Sequence, residues 1–68
     1  LRFKVVDVMS SQVLAENVDV RKAVEVLEPM HSVIDARIFR WEPTRERWRL
    51  VTLGEAKALW AFRGRLRG

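Results

Sequence analysis

Few residues in this 68-residue chain can move a proton or hold a metal, and their spacing argues against both roles. His31 is the only histidine, and with Ser32 as its neighbour it lacks the third, orienting group that nucleophilic catalysis requires. Zinc needs about four nitrogen or sulfur ligands, or three and a water. One histidine and no cysteine do not supply them. Glu42 and Glu46 are the nearest approach to a carboxylate pair, but they flank Pro43 in an arginine-rich turn and read as solvated charge partners. Gly54, Gly64 and Gly68 follow no strand in P-loop or dinucleotide spacing. The expectation is a chain with no catalytic site, no metal and no cofactor.

What remains is cationic and aromatic. Arg37, Arg40, Arg45, Arg47 and Arg49 interleave with Phe39, Trp41 and Trp48, which puts cations for phosphates beside flat rings for bases. Arg65 and Arg67 add charge near the C-terminal end. The positive excess is confined to this half: four cations meet five acids over residues 1–30, whereas nine meet four over residues 31–68. Such asymmetry points to an anionic partner, either an anionic polymer such as nucleic acid or an acidic protein.

These side chains must be positioned by short elements. Leu1, Phe3 and Val5 alternate with Arg2 and Lys4, which predicts a strand over about residues 2–8. Ser10-Ser11-Gln12 reads as a polar turn, and Val13-Leu14-Ala15 is ambiguous, a second short extended piece at most. Asp19 is a good N-cap for a helix with Val20, Ala23, Val24 and Leu27 on one face, and Pro29 should end it near Glu28. Residues 33–41 and 47–53 read as a hairpin joined by the charged turn 42–46. Opposing Glu42 to Arg47 pairs Trp41 with Trp48, Arg40 with Arg49, Phe39 with Leu50 and Ile38 with Val51. The tryptophans then share one face with Phe39 and Leu50, and the two arginines share the other. That like-charged pair costs stability unless something anionic meets it.

Thr52-Leu53-Gly54-Glu55 fits a capping box, predicting a second helix over about residues 54–63. Its apolar residues surround much of the axis, so Leu59, Trp60 and Phe62, or else the tryptophan face of the hairpin, are expected to meet a second copy of the chain. The expected fold is therefore a small α+β domain in the order β-α-β-β-α, with a three-stranded, mostly antiparallel sheet and two helices packed on one side. The domain should span residues 1–62, with residues 63–68 a basic, fraying tail.

Several of these segments resemble a single CBS (cystathionine-β-synthase) domain. Val6-Asp7-Val8-Met9-Ser10 is similar to the opening motif of such domains, Asp19 to Leu27 to their first helix, and Leu50-Val51-Thr52-Leu53-Gly54-Glu55 to the strand and T-x-x-D turn before their second helix. The likeness spans about residues 5–62. Paired CBS domains often bind adenine nucleotides, so the resemblance implies Thr52 and Glu55 as contacts to phosphate and ribose. Arg49 stands where the family usually has glycine, Glu55 replaces its aspartate, and one copy is present.

Composition sets the outer bounds. With 49% hydrophobic and 32% charged residues the chain has a globular balance. Its uninterrupted apolar stretches are far shorter than the roughly 20 residues a membrane-spanning helix needs. Without cysteine there is neither a disulfide framework nor a thiolate metal site, and the lack of an apolar leader-like run leads to the expectation of a cytoplasmic protein. A chain this short buries only about 60% of its unfolded surface, which again favours self-association as a homodimer.

Overall fold

The computed structural model describes residues 1–63. Alternation makes the first strand, β1 (Phe3–Asp7): Phe3 and Val5 are buried and their neighbours turn the other way. The strand closes onto β2 (Val13–Val18) through a turn built by Asp7, whose carboxylate accepts from the Ser10 amide at 2.9 Å and hydroxyl at 2.7 Å. Those two bonds hold the Asp7 carboxyl below its ordinary range, the hydroxyl contributing most. The Asp-x-x-Ser stretch that resembles a CBS opening is here the turn of a β-hairpin.

β2 corrects the expected strand count from three to four. Its faces do not alternate in sequence because two bulges shift its register against β1, between the pairs Phe3–Val18, Val5–Ala15 and Val6–Val13. Asn17 takes a left-handed conformation (φ 56°), which asparagine tolerates better than most residues.

Helix α1 (Val20–Leu27) starts where Asp19 caps it, the side chain accepting from Lys22 N–H at 2.9 Å. Ala23, Val24 and Leu27 are buried and Val20, in the first turn, is 40% exposed. The segment expected to begin the next strand instead forms a 3₁₀ turn, Val33–Asp35. Ser32 and Asp35 make a reciprocal capping box there and delay the strand to Ala36. Strands β3 (Ala36–Glu42) and β4 (Arg47–Leu50) then form the hairpin in the expected register. β4 ends at Leu50 rather than near residue 53, since Thr52 already caps α2 (Leu53–Ala61).

The sheet order is β2-β1-β3-β4, antiparallel throughout. Ala23, Val24 and Leu27 of α1 and Leu59 of α2 share one buried cluster with Phe3, Val5, Ile38 and Val51. Both helices therefore cover the same side of the sheet, and the side carrying Lys4, Phe39, Trp41 and Trp48 has no helix on it.

Candidate functional site: the two faces of the hairpin

The register divides the hairpin's side chains into two chemically distinct sets. On the helix side, Arg40 faces Arg49 directly, and the anions that meet them come from the chain itself. Arg49 holds Glu55 with both terminal nitrogens, Nη1 to Oε1 at 3.1 Å and Nη2 to Oε2 at 3.2 Å. Arg40 Nη1 lies 3.9 Å from Glu55 Oε2, a longer contact. Glu42 takes Arg47 Nε at 2.9 Å and Arg49 Nε at 3.5 Å. Three arginines and two glutamates thus interlock, and the bidentate geometry is the strong form of such a pair.

Glu55 also closes the capping box of α2. Its Oε1 accepts from Thr52 N–H at 2.9 Å while Thr52 Oγ1 accepts from Glu55 N–H at 3.2 Å. Arg49 first, and then the Thr52 amide, lower the Glu55 carboxyl from its ordinary value near 4.5 to about 2. Glu42 is likewise lowered, mainly by Arg47, and Arg49 is raised, mainly by Glu55. The anion that the facing arginine pair calls for is supplied within the fold, bidentately at Arg49 and at 3.9 Å at Arg40.

The opposite face is aromatic. Trp41 and Trp48 stand edge to face, with ring centroids 5.3 Å apart and planes at 66°. Lys4, from the neighbouring β1, places its ammonium 5.6 Å from the Phe39 ring centre and 5.9 Å from that of Trp48. All three rings are half-buried by their neighbours alone. Glu16 and Asn17 of β2 join the two tryptophans around an open hollow of about 390 Å³. Arg37 precedes buried Ile38 and so faces outward on this side, at the other end of β3.

The sequence-derived set is therefore split. Trp41, Trp48 and Arg37 belong to the open face; Arg40, Arg47 and Arg49 belong to the ion cluster; Arg45 is exposed in the turn. Arg65 and Arg67 lie outside the described residues. Thr52 and Glu55 come together, but as a helix cap with an arginine partner. His31 is exposed, and no three His, Cys, Asp or Glu residues cluster as a metal site would require among the described residues. No helix there is long and apolar enough to cross a membrane.

Of the α2 residues expected to meet a second copy, Leu59 is in the core and Trp60 lies half-buried beneath the Arg63 guanidinium, 3.7 Å from its ring. Phe62 remains exposed. Lys4 is the site residue that sequence reasoning missed. Its alternation with Phe3 and Val5 placed it outward, but nothing local showed that β1 lies beside β3 at the centre of the sheet. No family model, no curated protein and no solved structure matches the chain.

Proposed function

We propose that this domain is a non-enzymatic binding module that holds single-stranded nucleic acid on its helix-free sheet face. One observation carries the reading: Phe39, Trp41 and Trp48 sit together on an uncovered face with the Lys4 ammonium among them. Stacking on such rings is worth about 1–3 kcal/mol per base and tolerates any sequence, because every base has a flat face. Four-stranded sheets whose exposed aromatics stack two or three bases are a recurring solution for single-stranded RNA. The net charge of +4 supplies long-range attraction to a polyanion.

Adenine-nucleotide sensing through Thr52 and Glu55 has less in its favour. Both side chains are engaged in the helix cap, and Glu55 also holds Arg49, so a phosphate there would meet a carboxylate.

Intrinsic tryptophan fluorescence reads the proposal directly. Titration with mixed-sequence single-stranded oligonucleotides at low salt should quench it saturably, and Trp48→Ala should weaken binding by about tenfold or more. Unchanged fluorescence and anisotropy throughout the titration would rule out a nucleic-acid ligand and leave an acidic protein as the partner of the basic half.

A further inference from the structure

Away from the tryptophans, an open groove of about 390 Å³ runs where β4 ends and α2 begins. Four of the large apolar side chains lining it stay in water: Ile34 is 72% exposed, Leu53 59%, Leu50 55% and Val8 39%. Apolar residues exposed singly are ordinary, but four converging on one concave strip mark an interaction surface. A backbone edge opens into the same groove. Val51 N–H donates to the Ile38 carbonyl at 2.9 Å, just past the last residue of β4. Alternate residues of a strand turn their N–H and C=O to the same side, so those of Ala36 point toward β4's side of β3, beyond the end of β4. Arg37 is the one charged residue of the lining, and it makes no ion pair among the described residues.

We infer that this groove takes an extended segment of another protein, apolar at alternate positions and bearing an Asp or Glu that pairs with Arg37. Laid beside β3 beyond β4, the segment meets the Ala36 main chain and puts apolar side chains among Ile34, Leu50 and Leu53, in the manner of strand addition. The N-terminal end of α2, which opens at Leu53, favours the same sign of charge. Occupants from the chain itself fit less well. Residues 64–68 hold two arginines and no acid, the wrong charge for Arg37. A second copy would have to offer β2, interrupted by two bulges, or β4, with Arg47 and Arg49 in its four residues. Bulged and charged edges resist pairing. Through Arg37 and Leu50 the groove adjoins the same side of the sheet as the tryptophans, but it lies at the other end of the hairpin and shares no residue with the hollow between them; its test reads peptide binding with no nucleic acid present.

The full chain, labelled with ¹⁵N, would be titrated with two pools of blocked hexapeptides alternating Val, Ile or Leu with Thr. One pool carries a central Asp, the other a central Lys. The Asp pool should give saturable amide shifts at Ile34, Ala36, Arg37 and Leu53, and the Lys pool should bind about tenfold more weakly. Leu53→Asp should abolish both responses, and Arg37→Glu should reverse the preference between pools, an outcome misfolding cannot imitate. Equal binding of the two pools, no shifts at millimolar peptide, or shifts centred on Trp41 and Trp48 would overturn the inference. So would the same residues shifting with protein concentration alone, which would make the occupant a second copy.

Discussion

The two sides of the β3–β4 hairpin differ in kind: Arg40, Glu42, Arg47 and Arg49 lie on the helix side and Arg37, Phe39, Trp41 and Trp48 on the other, and the first set is closed chemistry while the second is open. Behind the hairpin, each of Arg40, Arg47 and Arg49 has a carboxylate within 4 Å, and the cluster ties the strands to the cap of α2. In front, Lys4 has rings for neighbours, and those rings are held apart edge to face rather than sealed under a helix. The lesson is that arginine density in a hairpin does not locate a binding surface. Which cations have already been matched by the fold decides that, and here the matched ones are the more numerous.

The largest expected effect comes from the core beneath the helix side of the sheet. Leu27 is fully buried between the helices and the sheet, and Leu27→Ala should cost about 2–5 kcal/mol in chemical denaturation. The same truncation at exposed Leu50 should cost well under half as much. A second test removes the hinge of the ion cluster: Thr52→Ala should destabilise by about 1 kcal/mol through loss of the α2 cap. It should do so without altering oligonucleotide affinity, whereas Trp48→Ala should do the reverse in rank. Equal effects of the two on binding would erase the distinction between the sides.

Acid sharpens the same contrast. Glu55 has a folded-state value of about 2 against an ordinary value near 4.5. A carboxyl lowered on folding stabilises fully above its unfolded value and less as pH falls through the folded one. The cluster should therefore support the fold at pH 6 and lose its contribution between about 4.5 and 2. A denaturation midpoint that stays flat over that window in the native chain, or that falls equally in Glu55→Gln, would show the cluster to be inert. The smallest expected effect has the opposite sign. Gly54 lies in the first turn of α2, and a Cβ there would meet only Thr52 Oγ1 at 3.9 Å. Gly54→Ala should stabilise by about 0.4–1 kcal/mol, chiefly by restricting the unfolded chain.

Much of this organisation is legible in the residues. Alternation over Phe3–Val5, the Asp19 cap, the Thr52–Glu55 box and the opposition of Glu42 to Arg47 each act within a few residues, so one window of sequence contains both partners. The reading fails where geometry is non-local or irregular. β2 hides because its bulges break the period-two signal, and the 3₁₀ turn at Val33 hides a capping box inside what looks like a strand. The role of Arg49 depends on Glu55, six residues on and across a strand-to-helix turn. Lys4 joins the aromatic face only because β1 lies between β2 and β3.

If the open face binds and the helix-side arginines hold the fold together, the salt dependence of oligonucleotide affinity must separate the two sets of cations. Each phosphate contact contributes about −0.7 to the slope of log affinity against log salt for single strands. Lys4→Gln should flatten that slope by about 0.7, while Arg40→Gln should leave it unchanged. A slope that flattens for Arg40→Gln and not for Lys4→Gln would place the phosphates on the helix side of the sheet and exclude the open face as the binding surface.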